Sequence, residues 1–402
     1  MTRFLPYNPD QAYLLPPSVK DELGGDHLCF FIRDVVRRLD LSGFEQAYSE
    51  EGGVLYAPEL MLNVWLYGYA LGITSARRIE RRMVEDLAFR YLAGGARVDN
   101  WALSEFRRRH GRGINDIFTQ VLEWARQMGW GRLGRVVIDS TRVKASACRD
   151  RVDTEQKLRK ERAKLRRQVR RWQRACDRDD SEPGGLKVAI QQAEEKLAEM
   201  PRRLERLRKS GVQRLSRSDA DARFLRQRGQ GFELGYTAEI AVSNDHLIVA
   251  QRVTQNATDN ESLVPMVDAV ERQCGTRPGQ VLADSGFFSV VNIEELARRG
   301  IDGYVPDSNL ARELNTGQRA AGIGGNRIRS PQLRRMRQKL RSPAGGAVYR
   351  RRKAVVEPVF GVLKQQRGMR QFRTRTLMKV GIEFTLAALA YNLTRLYQSR
   401  RP

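Results

Sequence analysis

Two short apolar runs, each ending in an aspartate, are the feature of the sequence that most constrains its fold. The runs are GRVVIDSTRVKA at residues 134–145 and GQVLADSGF at residues 279–287. Their length and β-branched content are typical of buried strands, and each places an aspartate, Asp139 or Asp284, just before a small polar turn. Because helical patterns separate these strands along the chain, the sequence predicts an α/β or α+β domain with a mixed sheet.

Paired strands are predicted between the two aspartate runs. Residues 232–254, FELGYTAEIAVSNDHLIVAQRVT, alternate apolar and polar positions on both sides of a Ser-Asn-Asp turn, which indicates a β-hairpin. Thr258 and Glu261 then have the spacing of a capping box, so we expect a helix to begin there. Residues 307–346 are rich in glycine and arginine and predict a mobile basic loop.

A charge-dense helical segment interrupts this region after the first strand. Residues 153–179 and 186–210 are helical in pattern, and SEPGG at 181–185 makes a turn between them. Apolar residues in the second arm alternate steps of four and three, which predicts an antiparallel coiled-coil hairpin that Pro201 kinks or restarts. Such a hairpin could mediate self-association, bind DNA along its basic faces, or stiffen the insertion; the regular seam favours self-association.

The N-terminal part of the chain, from about residue 16 to residue 110, is helical in pattern. Pro58 begins the segment PELMLNVWLYGYAL, which Gly72 ends, and the arginine-rich segment SARRIERRMVEDLAFRYL follows after a short turn. Helix, turn and basic helix are compatible with a helix-turn-helix, although most such helix pairs bind nothing. A further basic helix, NWALSEFRRRH, is predicted at residues 100–110, with a solvated charge run as the alternative explanation of its arginines. The candidate DNA contacts in these helices are Arg77, Arg78, Arg107 and Arg108.

The charge of the chain indicates a polyanionic partner. It has 72 Lys and Arg against 47 Asp and Glu, a formal net charge of +25. Such an excess favours nucleic acid first and an anionic membrane surface second. The four cysteines form no C-x-x-C pair and there are three histidines, so neither a zinc finger nor a disulfide framework is expected.

Nothing in the sequence predicts secretion or a membrane span. The chain starts MTRFLPYNPDQ, without the apolar core of a signal peptide, and no run approaches the roughly eighteen apolar residues of a membrane helix. The most apolar segment, residues 384–396, is short and contains Asn392 and Arg395, which favours a buried helix. We therefore expect a cytoplasmic protein with no membrane partner.

Three carboxylates are candidates for a metal-dependent site. Neighbouring strand ends would bring Asp139 and Asp284 close together, although an Asx turn or a helix cap is the commoner role of either one alone. Glu357 lies beside Val355 and Val356 in a helical pattern, so we expect it to be buried, and a cation would offset the cost of burying its charge. Such oxygen ligands suit two Mg²⁺ or Mn²⁺ ions, which promote phosphodiester cleavage and transfer.

Several longer stretches resemble one known family. They are YAPELMLNVWLYGYALGITSARRIE, VDNWALSEFRRRH, VVIDSTRVKA, GYTAEIAVSNDHLIVAQRVTQNATDNESLVPM, VLADSGFFS and RRKAVVEPVFGVLK. Together they resemble bacterial insertion-sequence transposases of the DDE class, with an InsH-like N-terminal domain and an RNase H-like catalytic core that carries a coiled-coil insertion. The last stretch is the most specific, because the family pairs its catalytic glutamate with a lysine seven positions later. Here these residues are Glu357 and Lys364.

The resemblance implies a reaction and a set of catalytic residues. Asp139, Asp284 and Glu357 would form the metal-binding triad, and Lys364 would contact DNA close to the scissile phosphate. The protein would bind the terminal inverted repeats of a double-stranded DNA element, cleave phosphodiesters there and join the freed 3′-hydroxyl to target DNA. Because two ends must be held together, it would act as a homo-oligomer.

The resemblance also implies further contacts around the glutamate. The family usually has a tyrosine and an arginine upstream, which correspond here to Tyr349 and Arg352. Each is displaced by one position from the commonest spacing, and Lys353 stands where arginine is often found. Arg367 and Arg370 would bind phosphates, with a solvent-facing position on the helix as the alternative.

The expected organisation has two domains and one insertion. An all-helical DNA-binding domain would cover residues 1–125 and a catalytic domain residues 126–402, with the hairpin inserted at residues 150–215. Two other functions stay open. A non-catalytic architectural DNA-binding protein would not depend on Asp139 or Glu357, and a stand-alone metal-dependent nuclease would cleave DNA without producing joined products.

Overall fold

Helices form the first part of the fold, and a helix-covered β-sheet forms the second. The computed structural model describes residues 18–45, 56–177, 184–227, 231–316 and 330–400. Within these ranges the helices that precede the sheet are α1 (Leu28–Val36), α2 (Ser42–Glu45), α3 (Pro58–Ala70), α4 (Ala76–Glu85), α5 (Leu87–Leu92), α6 (Asn100–Arg109) and α7 (Gly111–Gln127).

Local sequence explains where several of these helices begin and end. Pro58 occupies the first turn of α3, where its missing N–H is not needed. Asp86 and Asp99 cap α5 and α6 by accepting hydrogen bonds from backbone amides of the first turn. Between α3 and α4, Gly72 has a φ of +74°, a conformation that residues with a side chain rarely adopt. The first helix and the turn predicted here are confirmed. The basic helix predicted over residues 75–92 is instead two helices, α4 and α5, because Asp86 ends the first and caps the second.

The described part of the chain contains eight strands. They are β1 (Arg135–Lys144), β2 (Val152–Asp153), β3 (Leu215–Ser216), β4 (Arg223–Gln227), β5 (Gly231–Ser243), β6 (Ile248–Thr254), β7 (Gln280–Ala283) and β8 (Asp302–Tyr304). Six of them form one sheet in the order β4-β5-β1-β7-β8, with β6 also paired to β5, while β2 and β3 pair separately. β5 is antiparallel to β1, β4 and β6, whereas β7 is parallel to β1 and β8. The predicted mixed sheet is confirmed, as is the β5–β6 hairpin.

Two long antiparallel helices separate β2 from β3. They are α8 (Glu155–Cys176) and α9 (Gly184–Lys209). Near one end of the pair Arg208 lies 3.4 Å from Glu155, and farther along it Gln173 donates to Glu194 at 3.3 Å. The apolar side chains buried between the arms and β3 are those of Leu158, Met200, Leu207 and Leu215. These apolar side chains are therefore used within the hairpin.

Proline does not divide the second arm. Pro201 lies inside α9, and the helix continues past it. The predicted restart is wrong because Met200 and Leu207, on either side of the proline, both pack in the apolar cluster of the hairpin. The turn predicted at residues 181–185 falls largely outside the described residues, and α9 has already begun at Gly184.

The later helices cover the sheet. They are α10 (Leu263–Cys274), α11 (Val290–Arg298), α12 (Ser308–Thr316), α13 (Pro331–Arg341), α14 (Pro343–Gly361) and α15 (Leu377–Gln398). The helix expected to begin at Thr258 begins instead at Leu263, because the amide of Ser262 closes a turn with the carbonyl of Asp259 at 3.0 Å.

The predicted basic loop at residues 307–346 is largely helical where the structure describes it. It contains α12, α13 and the beginning of α14, and residues 317–329 lie outside the described ranges. The arginines of α13 obscured an apolar face in which Leu333, Met336 and Leu340 recur at helical spacing and are buried.

Helix α15 joins the helical part of the fold to the sheet. Its residues 382–393 are all buried, and it packs against α3 and α7 on one side and β6 on the other. The side chain of Asn392 pairs with the backbone N–H and carbonyl of Ile248 at 2.9 Å and 2.8 Å. One apolar cluster consequently extends from α1 to α15, and the predicted buried helix is confirmed. None of the helices in the described ranges is long and apolar enough to cross a membrane.

Candidate active site

Asp139 and Asp284 lie side by side where the parallel pairing of β1 and β7 ends. The last pair of the ladder is Ile138 with Ala283, so an aspartate comes next on each strand. β7 stops at this point, and the carboxylate of Asp284 accepts a hydrogen bond from the amide of Gly286 at 2.8 Å. The expected convergence of the two aspartates is therefore present in the fold.

β1 does not stop at Asp139, so the prediction that the strand ends there is wrong. β5 pairs with β1 from Val136 to Lys144, and this long antiparallel partner keeps the strand extended. Asp139 thus lies in the middle of β1, one residue beyond the point where the shorter strand β7 stops pairing with it.

Burial makes both aspartates weaker acids than usual. Burial raises the pKa of Asp139 to about 6; Arg352 opposes this rise, and the nearby charge of Asp284 adds to it. Burial also raises the pKa of Asp284, again against the opposing effect of Arg352. Two partly desolvated carboxylates side by side require neighbouring positive charge if both are to be ionised.

Arg352 supplies positive charge at this position. Its guanidinium donates to the carboxylate of Asp139 at 2.8 Å, with both side chains mostly buried. Tyr349, one turn earlier on α14, is also buried, and burial raises the pKa of its hydroxyl. Helix α14 therefore brings the tyrosine and the arginine of the predicted motif against the aspartates.

Glu357 reaches the same cleft but is exposed, which corrects the prediction of a buried glutamate. Val355, Val356 and Val359 are the buried residues in this part of α14. At about 100° per residue these valines share one side of the helix and Glu357 points to the other. The apolar neighbours therefore anchor the helix and leave the carboxylate accessible.

A π-helical turn, Val362–Gln366, continues α14 and carries Lys364. The Lys364 ammonium donates to the backbone carbonyl of Arg142 on β1 at 2.9 Å, and burial lowers its pKa. Such π-turns inside helices are frequent at functional sites. The turn places the lysine beside the strand that bears Asp139.

One cleft of about 640 Å³ collects these side chains. Its polar lining includes Asp139, Asp284, Tyr349, Arg352, Glu357 and Lys364. Among the described residues no three His, Cys, Asp or Glu side chains stand close enough together to hold a metal ion. Two of the predicted ligands are adjacent, and the third lines the same cleft.

Asp259 is a further carboxylate of this cleft that the sequence analysis missed. It accepts a hydrogen bond from the hydroxyl of Ser140 at 2.9 Å and lies 3.5 Å from the guanidinium of Arg142. Its charge also contributes to the raised pKa of Asp284. The signal was the polar run directly after β6, which the sequence analysis instead interpreted as a helix cap at Thr258.

The predicted DNA contacts outside the cleft differ in exposure. Arg77 and Arg78 on α4 are exposed, as is Arg370 after the π-helical turn. Arg108 is exposed on α6 and donates to the carboxylate of Glu105 at 2.6 Å.

Arg107 and Arg367 are buried, which corrects their prediction as surface phosphate contacts. Arg107 donates to the hydroxyl of Tyr69 at 2.9 Å and lies 4.6 Å from the ring centre of Trp65. Arg367 lies 5.7 Å from the ring centre of Tyr391, and burial lowers its pKa to about 10. Both guanidiniums pack inside the fold.

Two protein-family models match the chain. A model described as a transposase DDE domain matches residues 201–393, which include Asp284, Glu357 and Lys364. A model described as a transposase domain of the DUF772 type matches residues 17–109, which include helices α1 to α6. Asp139 lies between the two matches. No curated protein and no solved structure matches the chain.

Proposed function

The chain belongs to the DDE-class insertion-sequence transposases, and we propose that it cleaves phosphodiester bonds at the ends of a DNA element and joins the freed 3′-hydroxyl to target DNA. The observation that carries this proposal is the adjacency of Asp139 and Asp284 at the end of the β1–β7 pairing, in one cleft with Glu357 and Lys364. Carboxylates beside fixed cations form a suitable donor set for both a divalent ion and a phosphate.

The proposed organisation is a helical DNA-binding domain at residues 1–125 and an RNase H-like catalytic domain at residues 126–402. The mixed sheet supports this assignment, since its central strand β1 is antiparallel to β5 and parallel to β7. The inserted arm at residues 150–215 leaves the pairing of β1 with β5 continuous from Val136 to Lys144. An insertion of this kind is tolerated because it extends from a loop.

Two Mg²⁺ or Mn²⁺ ions are the proposed cofactors, with Asp139, Asp284 and Glu357 as their ligands. Because no three carboxylates of the described residues stand close enough together to hold an ion, Glu357 would have to approach the two aspartates when DNA and metal bind. These residues suit such ions because Asp139 and Asp284 are adjacent in the fold and burial raises the pKa of both carboxyls. Among the described residues, Arg352 is the one cation that forms an ion pair with Asp139. Further positive charge would stabilise both ionised aspartates. When bound, such ions lower the pKa of the attacking hydroxyl and stabilise the leaving oxygen.

The cations of the cleft would orient the scissile phosphate. Lys364 offers a compact ammonium, and Arg352 a planar fork that can exchange the carboxylate of Asp139 for phosphate oxygens. Arg142 is held in place by the carbonyl of Ala257 at 2.7 Å and by Asp259 at 3.5 Å. These contacts favour one orientation of the phosphate against the two aspartates.

The N-terminal helices are proposed to recognise the DNA at the ends of the element. Arg77 and Arg78 lie exposed on the first turn of α4, directly after the tight turn at Gly72. A basic helix that follows a short turn suits docking into the major groove of duplex DNA.

The hairpin is proposed to contact DNA through α8. Near β3 the apolar side chains between its arms pack against one another, so this part of the seam that favoured self-association is not free for a second copy. Arg167, Arg170, Arg171 and Arg174 lie exposed along the outer part of α8. A homo-oligomer stays part of the proposal, because two DNA ends must be held in one complex.

The test is a cleavage and joining reaction on the DNA that flanks the coding region, where matching inverted repeats define the substrate. We expect wild-type protein with Mg²⁺ to nick the repeat ends and to produce joined products with a target plasmid. Asp139→Asn, Asp284→Asn and Glu357→Gln should each reduce cleavage at least about 100-fold while duplex binding persists.

Arg351→Gln is the matched control, because Arg351 is exposed on the same helix and does not line the cleft. Undiminished cleavage by all three carboxylate variants would contradict the proposal. DNA binding without any cleavage would favour the architectural alternative, and cleavage without joined products would favour a stand-alone nuclease.

A further inference from the structure

Trp101 on α6 is the most exposed large apolar side chain of the described residues. Its relative exposure is 73%, whereas Leu103 and Phe106 on the same helix are buried. A tryptophan normally buries most of its large surface, so an indole left in solvent on an ordered helix suggests a contact with another molecule.

Trp101 lines a groove of about 400 Å³ between α6 and the loop at residues 373–376. The basic residues of this groove include Arg108, Arg373, Arg375 and Lys379. Its carboxylate, Glu105, is already engaged by Arg108 and lies 3.7 Å from Arg109. The groove therefore combines one free aromatic face with an excess of positive charge.

The loop at residues 373–376 is held rigidly by buried carboxylates. Glu383 is 1% exposed and accepts hydrogen bonds from the amides of Arg373 and Thr374 at 2.9 Å and 2.8 Å. Thr376 has a φ of +74°, and its amide donates to Asp219 at 3.1 Å. A non-glycine residue in this conformation is strained, and such strain persists where the surroundings fix it, often at functional sites.

The groove is physically connected to the strand that bears Asp139. Lys144, at the end of β1, bridges to Gln371 just before the loop. Arg375 reaches back to donate to the carbonyl of Ser146 at 2.9 Å. Lys144 lies five residues beyond Asp139, roughly 17 Å along the strand. A DNA strand that leaves the catalytic cleft along β1 would therefore arrive at the groove.

We propose that this groove binds a single strand of DNA, with one unpaired base stacked on Trp101 and the adjacent phosphates bound by Arg373, Arg375 and Lys379. The inference rests on the proposed function and extends it with a nucleotide-binding site outside the catalytic cleft. An indole can stack only on a base whose face is open, so the ligand is a strand end or an extruded nucleotide. Aromatic rings with basic side chains are the usual means of binding single strands.

The experiment compares two probes that differ only in their bases. One is an oligothymidylate of about 16 nucleotides, and the other is an abasic strand of equal length with the same phosphates. We expect Trp101→Ala to weaken binding of the oligothymidylate by roughly 5- to 100-fold and to leave binding of the abasic strand unchanged. Trp101→Phe should retain most of the affinity, because a phenyl ring also stacks.

Two further variants separate stacking from charge and from general surface effects. Arg375→Gln combined with Lys379→Gln should weaken both probes, since both carry phosphates. Val291→Ala truncates another exposed apolar residue, 71% exposed on α11, and should change neither.

Equal binding of oligothymidylate by wild type and Trp101→Ala, with DNA cleavage intact, would overturn this inference and leave the proposed function standing. Loss of self-association in Trp101→Ala without any change in DNA binding would also overturn it, in favour of a protein contact. Failure of the wild-type protein to cleave the repeat ends would instead contradict the proposed function.

Discussion

The ion pair between Arg352 and Asp139 is the contact on which the candidate site most depends. It connects α14 to β1, and both side chains are mostly buried, 10% and 17% exposed. Removing one partner of a buried pair leaves the other charge without compensation, which costs more than the pair itself contributes. The contact therefore links the stability of the metal-free protein to the ionisation of its aspartates.

Arg352→Ala should destabilise the metal-free protein by about 3 kcal/mol at pH 8. Burial raises the pKa of Asp139 to about 6. Ionising this carboxyl in the folded protein therefore costs free energy of folding, and the cost is fully present above about pH 6. Loss of the arginine raises this pKa further. As the pH falls to about 5, Asp139 takes up a proton and the deficit should shrink. Urea unfolding of both proteins at the two pH values measures the change.

The control for this prediction is Arg351→Ala, which removes an exposed arginine from the same helix and should change the unfolding free energy by less than about 0.5 kcal/mol. An Arg352→Ala deficit that is equal at both pH values would show that the charge of Asp139 is not its cause.

The turn between α3 and α4 connects the proposed DNA-reading helices to the catalytic part of the chain. Gly72 adopts a φ of +74°, and a Cβ atom there would stand 2.9 Å from the Cα of Arg367. Arg367 follows the π-helical turn that carries Lys364. The tight turn is therefore required both by its backbone conformation and by close packing.

Gly72→Ala should destabilise the protein by more than Gly94→Ala. Gly94 also has a positive φ, +58°, but a Cβ atom there would meet nothing within 4 Å. The substitution at Gly94 should cost about 1 kcal/mol from backbone strain alone. At Gly72 the backbone of Arg367 must also shift, which should add about 1–3 kcal/mol. Denaturant unfolding of both variants measures the two costs, and equal values would exclude the contact as a source of stability.

The basic helix α8 should contribute to DNA affinity through charge alone. Replacing Arg167, Arg170, Arg171 and Arg174 by glutamine removes four exposed positive charges. If each neutralises one phosphate, the slope of log K against log salt for duplex DNA should become shallower by about 3 to 4. Binding titrations at several salt concentrations measure the slope.

The control for the salt experiment is a variant of the other arm, with Gln191→Ala and Lys187→Gln on α9. It changes two exposed side chains but removes only one positive charge. An unchanged slope in the four-arginine variant would remove α8 from the DNA-binding surface.

The sequence allowed the strands and the buried C-terminal helix to be predicted because their apolar patterns are local. The paired aspartates could be predicted because each follows a run typical of a buried strand, and the ends of parallel strands meet at one edge of a sheet. It did not predict that β1 passes Asp139, since the length of that strand is set by its partner β5. Glu357 was predicted to be buried because it has apolar neighbours in the sequence, although these neighbours lie on the other side of the helix. Asp259 was missed because its role depends on Ser140 and Arg142, which are more than 100 residues away.

The whole fold brings distant segments into one unit. A single apolar cluster extends from α1 to α15, so the helical part and the sheet share a core. Within that unit, the central claim is that Asp139, Asp284 and Glu357 act on the same metal ions, although the last two lie 73 positions apart in the chain.

The most direct test is the binding of Mn²⁺, followed by electron paramagnetic resonance, to the protein in complex with duplex DNA from the element end. We predict that Asp139→Asn and Glu357→Gln each weaken Mn²⁺ binding at least about tenfold. The double variant should bind Mn²⁺ only slightly more weakly than the single variant that shows the larger loss. Ligands of one shared site give this non-additive result. Mn²⁺ binding that is unaffected by Glu357→Gln, or independent losses that add in the double variant, would contradict the account.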